Sequence, residues 1–164
     1  MIIEHIIGNI SDKNIDKYNI DYVNIEWYEC QKKIHRLTSS KGRDVAISLD
    51  KETQTRGLDD RDILYIDDDN TAIIVDILPA KAIIVKPKDV QEAIHCAYEI
   101  GNRHTPFFYA DDTKKTFAIP YDIPFETLLN KMHVTYAVQD IKFLTKYRIS
   151  QNVTQGHSHT HTHS

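Results

Sequence analysis

Histidine is the residue whose placement in this chain most directly suggests chemistry. There are nine, and four of them fall in the terminal run His157-Ser158-His159-Thr160-His161-Thr162-His163-Ser164. Alternate residues of an extended chain point to one side, so successive imidazoles there can reach a common ion. Imidazole is a good ligand for nickel, zinc and copper(II), so the pattern reads as a divalent-metal tail without selecting the metal. The competing explanation is an expression tag. A tag is ordinarily a contiguous histidine run, whereas serine and threonine alternate with histidine here, which favours a native metal-binding segment.

A second cluster is Gly101-Asn102-Arg103-His104-Thr105-Pro106. Its place between a predicted helix and a predicted strand would hold His104 on a short corner. Gly101 is expected to take the left-handed conformation that ends the helix, and Pro106 to stiffen the exit. A histidine there could also simply serve the helix end, where a cation is favoured. A divalent ion takes about four to six donors, so one fixed histidine cannot hold it alone, but a two-fold axis would supply two. Tail histidines could then close the coordination sphere and open it again, which a carrier needs.

Other groups point to chemistry less sharply. Glu92, His95, Cys96 and Glu99 could share a helix face, with His95 and Glu99 at helical spacing, although a solvated face is the simpler reading. His5, Cys30, His35 and His133 each stand alone, and Cys30 and Cys96 form no CxxC pair. Asp67-Asp68-Asp69-Asn70 lacks the glycine and distal glutamate of a calcium loop and reads as a turn.

The elements that must position these residues fall into two patterns. Short β-branched or aromatic runs at 2–7, 22–28, 34–38, 45–49, 63–66 and 71–78 predict a β-rich domain over residues 1–77, with turns at Ser39-Ser40-Lys41-Gly42 and at 67–70. No helical period is apparent before about residue 88. From 78 to 143 the order changes to a strand at 80–85, a helix at 89–101, strands at 107–110 and 116–119, a helix after Asp122, and a strand at 134–138. Asp89 with Glu92 matches a capping box, and Val90, Ala93, Ile94 and Ala97 form the expected core stripe of the first helix. Phe125, Leu128, Leu129 and Met132 form that of the second. The β-α-β-β-α-β order predicts a ferredoxin-like domain. Residues 144–164 read as a flexible C-terminal region, so the class is α+β with a disordered His-rich tail.

Composition narrows the functions. A net charge of −4 with no basic stripe argues against nucleic acid and anionic membranes as partners. No apolar run approaches a membrane span and the N-terminus lacks the features of a secretory signal, so a cytoplasmic location is expected. No HExxH, nucleophile elbow or phosphate loop is present, and no enzymatic activity is expected.

The run Gly101-Asn102-Arg103-His104 followed by Pro106, together with the His-rich end, resembles the UreE family of urease accessory proteins, the nickel metallochaperones of urease maturation. The spacing of Gly42, Ile47, Leu49 and Asp62-Ile63-Leu64 is similar to that family's N-terminal domain, so the resemblance spans the chain. Phe108 and Glu99 stand where relatives carry Gln and His, so the peripheral sites of those relatives are not transferred. The resemblance implies Ni2+ as cargo, with Zn2+ or Cu2+ also bound in vitro. It implies a homodimer with His104 of both subunits as ligands, helped by His157, His159, His161 and His163. Delivery to a urease accessory GTPase and the urease apoprotein assembly complex is implied as well. The alternative is passive divalent-metal storage by the tail alone.

Overall fold

The computed structural model describes residues 2–13 and 15–150, and the chain divides into two compact units. The first comprises residues up to Ala80 together with Asp140–Tyr147. The second comprises Lys81–Gln139 and the residues from Arg148 onward.

In the first unit, β1 (Ile2–Ile3), β4 (Ile34–Thr38) and β5 (Asp44–Ser48) form a sheet in the order β1-β5-β4. The strands β2 (Gly8–Asn9), β3 (Asn19–Ile25), β6 (Asp62–Ile66) and β7 (Thr71–Ile77) form another, in the order β2-β6-β7-β3. Strand β7 is apolar almost throughout because it is central, pairing parallel with β3 and antiparallel with β6. The unit also holds a short helix, α1 (Lys51–Arg56), that hydrophobic periodicity does not reveal. Its six residues bury nothing, and capping holds it instead. The Asp50 carboxylate accepts from the Thr53 N–H at 2.7 Å, and Gly57 leaves the helix at φ +84°.

Strand β3 alternates in burial, and one of its inward residues is Asp21, which is fully buried. Its carboxylate accepts from Ser39 Oγ at 2.7 Å, Ser40 Oγ at 2.9 Å and the Lys41 N–H at 2.9 Å. The 39–42 turn is therefore held from another strand rather than by its own side chains alone. Burial pushes the Asp21 pKa up. The donors from Ser39, Lys41 and Ser40, with the nearby Arg43 guanidinium, outweigh it and hold the carboxyl below its ordinary value.

Residues 140–147 pack back onto this unit, where sequence reading divides them between the second domain and a flexible end. Lys142 Nζ bridges Asp76 at 2.7 Å and Asp60 at 3.0 Å, and buried Phe143 packs on Trp27 with ring centroids 5.0 Å apart. Thr145 Oγ1 donates to the Leu58 carbonyl at 3.1 Å. The apolar residues of 140–147 follow neither a helical nor a strand period for long enough to place the segment, so only the distant partners reveal the packing.

The second unit runs β8 (Ala80–Lys86), α2 (Val90–Asn102), β9 (Phe108–Tyr109), β10 (Phe117–Pro120), α3 (Ile123–Lys131) and β11 (Thr135–Ile141). The sheet order β11-β8-β10-β9 is that of the predicted ferredoxin-like unit. Ile83, Val85 and Ile119 from the strands meet Cys96 and Ile100 of α2 and Phe125 and Leu129 of α3 in one core. At the N-terminus of α2 the Asp89 carboxylate accepts from the Glu92 N–H at 2.8 Å, while Glu92 accepts from the Lys88 N–H at 2.8 Å. The capping box is thus displaced by one residue on its return arm.

Asp21 makes the first unit's stability pH-dependent. A carboxyl whose folded pKa lies below its unfolded value stabilises the fold above the unfolded value, and that contribution is lost as pH falls through the folded one. The Asp21→Asn variant should unfold in urea with about 2 kcal/mol less stability than the parent at pH 7. The difference should shrink below about pH 4. Fluorescence of the single tryptophan, Trp27, which is buried in the same unit, is the readout. A difference independent of pH would rule out the carboxylate as its source.

Candidate metal centre

Helix α2 decides where His104 stands. The helix runs through Gly101 to Asn102, and Gly101 is not the left-handed residue that the sequence suggests. His104 itself takes that conformation, at φ +53°. The His104 N–H donates to the Gly101 carbonyl at 3.0 Å, and the Thr105 N–H to the Ile100 carbonyl at 3.4 Å. This pair of bonds is a Schellman closure with His104 at the position glycine usually fills. A side chain in this conformation costs about 1–2 kcal/mol, and histidine is among the residues that tolerate it better.

The neighbours hold this corner firmly. Arg103 Nη1 donates to the Glu99 carbonyl at 3.2 Å and forms an ion pair with the Glu99 carboxylate. The Arg103 guanidinium also lies 5.6 Å from the Phe125 ring centroid. Ile100 and Phe107 anchor the two sides of the corner in the core, while His104 is exposed. His104 has no hydrogen bond to another described side chain, and no cluster of three His, Cys, Asp or Glu able to hold a metal occurs among the described residues. His157, His159, His161 and His163 lie outside the described residues.

The Glu92, His95, Cys96 and Glu99 group does not converge. Cys96 faces the core at 1% exposure, and burial, with Glu92 nearby, pushes its thiol up to about 11. It is therefore a neutral core thiol at physiological pH rather than a thiolate ligand. Glu99 is taken by Arg103, Glu92 by the Lys88 backbone, and His95 is exposed.

The expected core stripe of α2 is also corrected. Ala97 packs against the core as expected, but Val90 and Ile94 are 75% and 66% exposed, and the fully buried positions are Cys96 and Ile100. With Tyr98, 63% exposed, Val90 and Ile94 form an outward apolar row at i, i+4 and i+8. Gly101 continues that row. A Cβ built on it would meet nothing within 4 Å, so no crowding inside the chain requires a glycine there. Helix α3 ends as α2 does, with exposed His133 left-handed at φ +56° and the Val134 N–H donating to Leu129 at 3.0 Å.

Residues 148–150 make a pairing with the strand beyond the corner that sequence reading missed. The Ile149 N–H donates to the Phe107 carbonyl at 2.8 Å, the Phe107 N–H donates to Ser150 Oγ at 3.0 Å, and Arg148 bridges Phe108 in the antiparallel sense. The local signal there is no more than a β-branched residue at 149.

Comparison with known proteins agrees with both halves of this architecture. Residues 3–77 match the UreE urease accessory protein N-terminal domain and residues 80–164 its C-terminal domain. The chain is 38% identical over 158 residues to urease accessory protein UreE of Helicobacter pylori, covering 96% of this chain and 90% of that protein. It is 37% identical over 150 residues to the Helicobacter acinonychis UreE, covering 92% and 86%. It is 40% identical over 136 residues to that of Helicobacter hepaticus, covering 83% and 76%. With both domains matched and the relatives covered along most of their length, the chain belongs to the UreE family of urease accessory proteins, which are chaperones rather than enzymes.

Proposed function

We propose that the protein is a homodimeric nickel carrier of urease maturation, holding Ni2+ between His104 of two subunits and completing the site with histidines of the terminal run. The carrying observation is the corner itself. An exposed imidazole is fixed in a strained backbone conformation, at a place where glycine would be cheaper and where its ring serves no described neighbour. His133 takes the same conformation at the end of α3, and what favours His104 over it as a ligand is its place on α2, the helix that carries the outward apolar row.

A single imidazole is too few donors, and the outward row of Val90, Ile94 and Tyr98 on the same helix supports a second copy as the source of another. Pairing α2 with its symmetry mate would cover that row and bring both corners toward one axis. Bare Gly101 would allow close approach of the two backbones. Cargo held by exposed imidazoles can be passed on, and the urease accessory GTPase is the receiver implied by family. The cytoplasm is the location proposed for this handover. No helix among the described residues is long and apolar enough to cross a membrane.

Four outcomes check this reading. Calorimetric nickel titration should show one tight site per dimer that disappears in His104→Ala while weaker binding by the terminal histidines persists. Equal titration curves would instead make the terminal run a passive store. The tight site should also weaken as the solution is acidified, because only neutral imidazole ligates. Equal affinity at pH 5.5 and 7.5 would exclude histidine ligation.

His104→Gly should lose the tight site yet unfold no more easily than the parent, because glycine relieves the left-handed strain. A large drop in its melting temperature would mean that the imidazole supports the fold. Ile94→Asp should shift the protein toward monomer in light scattering and weaken the tight site in parallel. A fully dimeric Ile94→Asp protein would place the subunit contact elsewhere.

A further inference from the structure

Strand β4 ends its sheet, pairs there with β5 alone, and enters the core through a single residue. Ile34, Arg36 and Thr38 face outward and Leu37 is half-buried, so His35, at 2% exposure, is the one buried side chain of the strand. A titratable imidazole thus makes the only deep contact that holds this edge in place. The ring donates to the Lys32 backbone through one nitrogen, while its Nε2 has no hydrogen-bond partner among the described residues. Opposite it on β5 stands Ile47, with Val45 on the same face, both buried. The charged groups that act on the ring are Glu29 and Lys32, opposite in effect, and they pair with each other at 3.2 Å in partly exposed positions. A proton on Nε2 would therefore bury a charge that finds no acceptor there. Burial accordingly pushes the His35 pKa below its ordinary value, against the smaller opposing effects of the Lys32 backbone and Glu29.

We propose that β4 is an acid-released edge strand latched by His35: it stays in its sheet while the imidazole is neutral, and its detachment lets solvent protonate Nε2. The device goes beyond the carrier reading and needs no metal. Above about pH 6.5 the ring is neutral whether the strand is in or out, and the latch holds. Below that, the released ring takes a proton that the buried ring refuses, so release gains ground until the pH reaches the lowered value of the folded ring. With the buried ring still neutral at pH 5.5, titration of the released ring multiplies the opening constant by about ten relative to pH 7.5. Release starts at Ile34, which is 58% exposed, because the other end of the strand runs into the 39–42 turn. The Asp21 carboxylate holds that turn, and its lowered pKa keeps it ionised over this range. Departure of β4 bares the β5 edge beside apolar Val45 and Ile47, a template for pairing with another extended chain.

Amide hydrogen exchange of the metal-free full-length chain, corrected for the intrinsic pH dependence of exchange, reads the opening strand by strand. Protection of the β4 amides bonded to β5 should fall about tenfold between pH 7.5 and 5.5, while protection in the central strand β7 changes by less than about twofold. His35→Asn keeps a donor for the Lys32 backbone and does not titrate, so its β4 protection should change by less than about twofold over the same range. His35→Phe, closer in size to imidazole and equally unable to titrate, is decisive should His35→Asn fail to fold. Unchanged β4 protection in the parent would overturn the proposal. An equal fall in the variants would overturn it too, because other groups would then cause the loss. An equal fall in β4 and β7 would make the charging of His35 a matter of whole-unit stability and exclude a released strand.

Discussion

A helix that enters a core must end there without leaving its last carbonyls unsatisfied, and the closure of α2 meets that requirement at the cost of backbone strain. Thr105 and His104 donate their N–H groups to Ile100 and Gly101, which requires a left-handed residue between helix and strand. That residue is His104. Ile100 below and Phe107 beyond are core residues, so the corner cannot slide without unpacking the unit. The position of the imidazole is thus set by hydrogen bonds and packing in which its ring takes no part. The ring itself is exposed and makes no hydrogen bond to another described side chain.

The chain passes more than once between the two units. After β11 it returns to the first unit, where Lys142 and Phe143 fasten it, and then rejoins the second unit at Phe107 and Phe108. The first unit is thus built from chain on both sides of β8 to β11.

Much of this was legible in residue order. The β-rich first part, the β-α-β-β-α-β order and both long helices follow from local periodicity and turn chemistry, and they appear within a few residues of their expected bounds. The face that α2 buries was not legible. The helix carries apolar residues around most of its circumference, and only the sheet and α3 decide that Cys96 and Ile100 go inside while Val90 and Ile94 stay out. Likewise Gly101 looks like the natural left-handed residue, yet the helix runs through it and the left-handed position falls three residues later, at His104. Helix α1 escaped notice because caps alone hold its six residues.

Residue order settles which elements form, in what succession, and which residues have the chemistry of a metal ligand, because propensity, capping and side-chain type are local properties. Long-range packing settles that Asp21 holds the 39–42 turn, that residues 140–147 belong to the first unit, and that Ser150 sits beside Phe107 on the strand leaving His104. Each of these is a pairing between residues far apart in the chain. Such a pairing forms only when other parts of the fold bring its members together, so neither partner carries a signal of it.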